Sequence, residues 1–378
     1  MRILIVSLRG PTQRARRGGA QDYIRAVSSQ WVREGHSVTV LCGQERLGGS
    51  TLPDEETVEG VCVVRAGTPT SRAWPLIREA RQRAAHADVV VENIMAFPLG
   101  LPWVLPSGTP LLAIKHHFQG HAFVRSQGRI RGTFGRAMES GALPFVYRDT
   151  PLAVPSVKTA DHVRRLWVRH RADLHVIPPP VRLPPAGLAA AAEQASRPTI
   201  LYLGALHLSR KRVDHLIRAF REVSRKVPDA KMIVAGDGPD RAALEAQAAG
   251  LAVEFTGFVS EEDKRKLLSR AWVFASPSVQ EGFGITWIEA GAHGLPLVGY
   301  RVDGLDTVDA SSALLVEAGD VHGLAASLLR LLADDSLRQR LSAGALINAQ
   351  RFDPESSSRA LLRAIEQATR DAGRREAP

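Results

Sequence analysis

The chain has 378 residues, 44% of them apolar and 23% charged, with 49 Lys and Arg against 39 Asp and Glu. That length suits two domains at roughly 100–200 residues each, and that balance of residue types excludes a largely disordered chain. Cys42 and Cys62 are the only cysteines, which excludes a disulfide framework and a zinc-ligand spacing; a reducing, cytoplasmic compartment is expected.

The chain opens MRILIVSLRG. Its apolar run is shorter than the core of a signal peptide and predicts a buried first strand. No run approaches the ~20 apolar residues of a membrane span, so any membrane contact is expected to be peripheral. Residues 1–190 hold 25 Lys and Arg against 14 Asp and Glu, whereas residues 191–378 hold 24 against 25. The excess positive charge therefore lies in the first half, which suits an anionic partner there: an acidic lipid surface, a phosphorylated substrate or nucleic acid. The plain alternative is a solvated, arginine-rich surface.

Short apolar runs follow one another along the first half: ILIVSL (3–8), SVTVLC (37–42), VCVVRA (61–66), DVVVEN (88–93), PLLAIKH (110–116) and TPLAVPS (150–156). Between them QDYIRAVSSQWVREG repeats apolar residues at three- and four-residue steps, as a helix does. Strands alternating with helices argue for a parallel sheet covered on both faces. The segment 176–198 holds six prolines and a run of small residues, and reads as a hinge. The alternation then restarts with TILYLGAL (199–206), AKMIVAGDG (230–238), VEFTGF (253–258), WVFASPS (272–278) and LPLVGY (295–300). The expected organisation is a first domain over 1–182, a linker over 183–196, a second domain over 197–353 and a final helix over 354–378 that crosses back to the first domain. In doubly wound sheets ligands bind outside the carboxyl ends of the strands, and with two facing units the cleft between them is the default site.

Several loops stand at such strand ends. Gly18 and Gly19 separate a basic stretch from the first helix, where a backbone can approach an anion closely; a simple turn is the alternative. Arg210, Lys211 and Arg212 lie between a strand and a helix, suited to phosphate contact or to solvation. EGFGITWIE (281–289) brackets two glycines and an apolar run with Glu281 and Glu289. A helix start near Ile285 would offer free N–H groups to a diphosphate. The carboxylates need partners, and a diol that donates two protons is a natural one. The competing explanation is two acids favoured at a helix N-terminus by its macrodipole.

EGFG, the E-x7-E spacing and the following EAGAHGLPLVG resemble the retaining GT-B glycosyltransferases of family 4. GGAQDYIRAVSSQWVREGHSVTVLC, VIPPPV, IVAGDGPD and FTGFVSEEDKRKLL are similar to further segments of that family, so the resemblance runs along nearly the whole chain. It implies an α/β, GT-B fold of two Rossmann-like domains and a hexosyltransferase that uses a nucleotide-diphosphate sugar without a cofactor; UDP is favoured over GDP as the commonest carrier. It implies that Glu289 binds the ribose, that Glu281 binds the donor sugar, and that Gly282, Phe283, Gly284, Ile285 and Thr286 lie near the sugar and diphosphate. Phe258 and Val259 would lie against the base, with Gly18 and Gly19 near the diphosphate. Arg210 and Lys211 would neutralise the leaving group. In KHHFQGH, His117 is expected near the donor sugar, with His116 as the alternative. Two positions depart from the family's pattern: Ala205 stands where an arginine is usual, and Pro179 where an asparagine is usual.

No metal is expected, since VDGLD (302–306) is not Asp-x-Asp and cations can serve the diphosphate. The acceptor should meet the first domain. There FQGHAFVRSQGRIRGTFGR interleaves Phe118, Phe123 and Phe134 with Arg125, Arg129, Arg131 and Arg136, a pattern that suits an anionic membrane face. A lipid-linked acceptor at the inner face of the membrane is therefore expected, and no nucleic-acid motif is present. A soluble enzyme acting on a small metabolite, a nucleotide-sugar epimerase and a non-catalytic sugar-nucleotide binder are the competing readings.

Overall fold

The computed structural model describes residues 1–376 other than 13–18, 48, 72, 96–97, 117, 119–131, 134, 136, 182–183, 185–193, 303–304 and 306. The chain forms two compact units, one of Met1–Pro180 with Pro354–Pro378 and one of Val181–Asp353.

The first unit carries β1 (Arg2–Ser7), β2 (Ser37–Gly43), β3 (Arg46–Leu47), β4 (Ser50–Thr51), β5 (Glu55–Val58), β6 (Val61–Ala66), β7 (Val89–Ile94), β8 (Leu111–Lys115), β9 (Leu152–Val154) and β10 (Leu174–Val176). Eight of them form one sheet in the order β10-β9-β8-β7-β1-β2-β6-β5. β1 lies between β2 and β7, parallel to both, with Ile5 opposite Val40 and Val91. Its residues are buried on both faces. Ile3 and Ile5 join Val27, Trp31 and Val40 on one face, and Leu4 and Val6 join Leu41, Leu76 and Ala80 on the other. Two-sided burial is why β1 reads as a continuous apolar run rather than an alternating one.

The sheet is parallel, as expected, except for one pair at its edge. β5 pairs antiparallel with β6 at the edge. Glu59 at φ 51° and Gly60 at φ 84° make the tight turn between them. Two consecutive left-handed residues match the twist of a two-residue hairpin.

The second unit carries β11 (Thr199–Leu203), β12 (Lys231–Ala235), β13 (Val253–Gly257), β14 (Val273–Ser276), β15 (Leu297–Tyr300) and β16 (Ala313–Val316). All are parallel, in the order β13-β12-β11-β14-β15-β16. One face packs Tyr202, Met232 and Val298 against Phe220 and Leu328; the other packs Leu203 and Phe274 against Trp287 and Phe352. Ala195 belongs to this unit, since its N–H donates to Arg270 O and its carbonyl accepts from Trp272 Nε1.

The last helix, Pro354–Glu376, completes the first unit. Leu361 and Ile365 enter the core beside Ile24, Val27 and Trp31. Trp31 Nε1 donates to the Ser358 carbonyl at 3.3 Å. Among the described residues no helix is long and apolar enough to cross a membrane.

Candidate functional site

In the second unit the chain order reverses between β11 and β14, because β12 and β13 extend to one side and β15 and β16 to the other. Loops leaving the carboxyl ends of those two strands flank a crevice in which doubly wound sheets bind ligands. The loop after β11 holds Arg210 and Lys211, and the loop after β14 holds Glu281. Hydrogen bonds stitch the two loops together. Val279 N–H donates to the Arg210 carbonyl at 2.8 Å, and Ser278 Oγ donates to the same carbonyl at 3.2 Å. Lys211 Nζ reaches Glu281 Oε1 at 2.6 Å, with the carboxylate 9% exposed. Among the described residues the Arg210 guanidinium makes no hydrogen bond or ion pair, so a cation stands beside this pair uncommitted. Tyr202, behind the loops, has its hydroxyl pushed well above the ordinary range by burial and then by the Glu281 charge.

Gly284 ends the loop at φ 81° and starts the helix Ile285–Ala292. A side chain there would adopt a strained backbone, and its Cβ would lie 2.7 Å from Leu305 Cδ1. Trp287 N–H donates to the Gly284 carbonyl at 2.9 Å, and the N–H groups of Ile285 and Thr286 before it lie where a helix start can meet an anion. Phe283 points into the core against Phe352, with ring centroids 5.3 Å apart, and its carbonyl accepts from Thr307 Oγ1. Its side chain is therefore committed to the core, leaving only its backbone at the loop. Ile285 and Thr286 are half-buried in the first turn.

Glu289 is the fifth residue of this helix rather than part of its first turn, which holds no acid. The macrodipole therefore does not account for it. Its carboxylate pairs instead with Lys264, from the helix Glu261–Arg270 that follows β13. Lys264 also reaches Glu261 Oε1 at 3.1 Å. Sequence reasoning missed Lys264, because a pair spanning 25 residues leaves no local signature. His293 Nδ1 meets the Glu289 carbonyl at 3.0 Å, and burial lowers the pKa of that imidazole. Phe258 is exposed just beyond β13, and Val259 packs against the core.

The glycines of the neighbouring loops have a steric reason. Gly236, at φ 144°, stands so close to the Gly204 carbonyl that any Cβ would collide with it. This lets the loops after β11 and β12 run side by side, with Leu206 N–H donating to the Asp237 carbonyl at 3.0 Å.

The first unit has its own reversal point, between β1 and β7. Gly19 is the exposed first residue of the helix Gly19–Arg33 that follows β1. At the end of β8, Lys115 is fully buried and pairs with Glu139 Oε1 at 2.9 Å. Burial lowers the pKa of this lysine and the Glu139 charge opposes that. His116 follows, half-buried, with its ring edge-on to Tyr23 at 5.2 Å. Gly18, His117, Arg125, Arg129 and Arg131 lie outside the described residues. Among the described residues no group of three or more His, Cys, Asp or Glu is placed to hold a metal ion.

Comparison with known proteins agrees with this architecture. The family model "Glycosyltransferase Family 4" matches residues 17–183 and the model "Glycosyl transferases group 1" matches residues 197–334. A GDP-mannose-dependent alpha-(1-6)-phosphatidylinositol monomannoside mannosyltransferase of Mycolicibacterium smegmatis is 30% identical over 346 residues, covering 84% of this chain and 87% of that protein. Three other curated relatives are matched over 40%, 46% and 61% of their length, so the chain spans about half of those proteins. Among solved structures, sucrose-phosphate synthase from Thermosynechococcus elongatus superposes with a TM-score of 0.78 at 21% identity, covering 97% of this chain and 98% of that one. Anabaena Alr3699/HepE, solved with UDP-glucose, gives 0.72 at 17% identity, covering 97% and 100%. By fold and by sequence, the chain belongs to the family 4, group 1, glycosyltransferases.

Proposed function

We propose that this protein transfers a hexosyl group from a nucleotide-diphosphate sugar to an acceptor hydroxyl, with retention at the anomeric carbon. The observation that carries the reading is the Lys211–Glu281 pair, which joins the two loops at the reversal point beside the open helix start at Gly284. In this reading Glu281 accepts from hydroxyls of the donor sugar and Glu289 from the ribose, each exchanging its lysine for a substrate diol. Arg210 and Lys211 stabilise the charge that builds on the departing diphosphate, together with the N–H groups at Ile285 and Thr286. No metal or cofactor is part of this reading, so transfer is expected to persist in excess chelator. Glycosidic retention through a carboxylate nucleophile would need a second acid at a set separation. Here the work assigned to the protein is positioning and charge stabilisation.

The acceptor is proposed to be lipid-linked. The excess positive charge of the first half supports this, as does the phosphatidylinositol monomannoside named for the M. smegmatis relative. The donor is proposed to be UDP-linked, which the complex of the Anabaena protein favours, whereas the M. smegmatis relative is named for GDP-mannose. A panel of UDP-, GDP- and ADP-sugars, scored by thermal shift and slow donor hydrolysis, decides between them; if none raises the melting temperature, the donor site is misassigned. Glu289→Ala should weaken nucleotide binding about 10- to 100-fold, the loss expected for hydrogen bonds to a charged group. Glu281→Ala should lower kcat by a similar factor with binding nearly unchanged. Co-sedimentation with anionic vesicles at low salt tests the acceptor side. Absence of binding would leave a small soluble acceptor as the answer.

A further inference from the structure

Ser7, Asn93 and His116 stand at the carboxyl ends of three adjacent strands, β1, β7 and β8, around the reversal point of the first sheet. A directional chain of hydrogen bonds joins them. Ser7 Oγ donates to the Arg9 carbonyl at 2.7 Å, which uses its only proton. Its oxygen can then only accept, and Asn93 Nδ2 donates to it at 2.9 Å. That sets the amide, so Asn93 Oδ1 faces His116 Nε2 at 2.6 Å. A carbonyl oxygen has no proton to give, so Nε2 carries one. The buried Tyr23 ring meets the imidazole edge-on and fixes its plane.

We propose that Asn93, anchored by Ser7, is a positioning residue that holds His116 in its Nε2–H tautomer. In the neutral ring the lone pair then lies on Nδ1, so whatever group meets that nitrogen must donate to it. The orientation is set by the fold before any substrate arrives. Two of the three members, Ser7 and Asn93, are buried and polar. The kinetic part of this inference rests on the transferase reading; the tautomer does not.

The test uses full-length protein labelled with ¹⁵N-histidine, and His116→Gln to assign the ring. The native protein should show the Nε2–H pattern for His116. Ser7→Ala releases the amide and should introduce the Nδ1–H form, and Ser7→Thr should restore the native pattern. Asn93→Leu removes the acceptor altogether. It should lower kcat about 10- to 100-fold, with the donor KM changed less than about threefold, as misorientation does. A Nδ1–H pattern in the native protein would overturn the proposal. So would an unchanged kcat in a folded Asn93→Leu variant. Should that variant fail to fold, the His116 resonances of Ser7→Ala decide alone, a native pattern there counting against the proposal. If no nucleotide sugar binds, the transferase reading falls while the tautomer result stands.

Discussion

Glu281 and Glu289 look alike in the sequence, yet each is held by a different lysine. Glu281 is tied across the reversal point to Lys211, and Glu289 is tied to Lys264 on a separate helix. Their spacing was legible because the carboxylates and the glycines between them belong to one continuous segment. Arg210 and Lys211 were legible as cations at a strand end, but which of them would pair with Glu281 was not, since that depends on where the loop after β14 is stitched. Gly284 carries the sharpest consequence at this scale. It combines a left-handed backbone with a Cβ position crowded by Leu305. Left-handed backbone costs a non-glycine residue roughly 1–2 kcal/mol before any clash. Gly284→Ala should therefore lower stability by about 1–3 kcal/mol in urea titration. It should also reduce the thermal shift given by a nucleotide sugar, because the helix start moves. A full donor-induced shift would show that this turn does not shape the anion site.

At the scale of elements, the strands that alternate with helices were readable from their apolar runs, and the short pieces β3, β4, β5, β10 and β16 were not. These pieces have two to four residues, too few for a periodic signal. β7 adds something that no pattern shows. Glu92 lies within it, buried, accepting from Leu99 N–H at 2.7 Å and from the Tyr147 hydroxyl at 2.8 and 2.9 Å. Gly100 N–H in turn donates to the Tyr147 oxygen at 2.9 Å. This carboxyl thus clasps the segment after β7 to the helix Leu143–Val146. Burial pushes its pKa up to about 7, against the opposing pull of those hydrogen bonds. The sign follows directly. A carboxyl raised in the folded state favours folding while protonated. Its contribution is intact below about pH 4.5 and is lost as the pH rises through about 7. The whole span is worth about 3 kcal/mol. Glu92→Gln should flatten the fall in stability between pH 5 and pH 7.5, read as the urea midpoint at each pH. Parallel curves for the two proteins would mean that Glu92 titrates as an ordinary glutamate.

At the scale of the molecule, the two units differ in how the chain builds them. The second is one continuous run, Val181–Asp353, with both faces of its sheet covered by its own helices. The first is discontinuous, because its core is finished by a helix that the chain supplies only after the second unit is complete. That helix was legible in the sequence from Asp353, Pro354 and the apolar spacing that follows. Its docking surface was not, since Trp31 and Ser358 are 327 residues apart. Leu361 and Ile365 are fully buried, and each such side chain is worth roughly 1.5–3 kcal/mol. Their joint loss, with the Trp31 hydrogen bond, comes to about 4–7 kcal/mol, the lower end of the whole stability of an ordinary domain, about 5–15 kcal/mol. A fragment of residues 181–353 should therefore unfold cooperatively in urea on its own. A fragment of residues 1–180 should lack a native near-ultraviolet signal from Trp31. Residues 354–378 form a helix that takes most of its stability from packing its apolar face, and added in trans they should restore that signal with saturable binding. Cooperative unfolding of residues 1–180 alone, at the midpoint seen for that unit in the intact chain, would show that the final helix covers a core already able to stand without it.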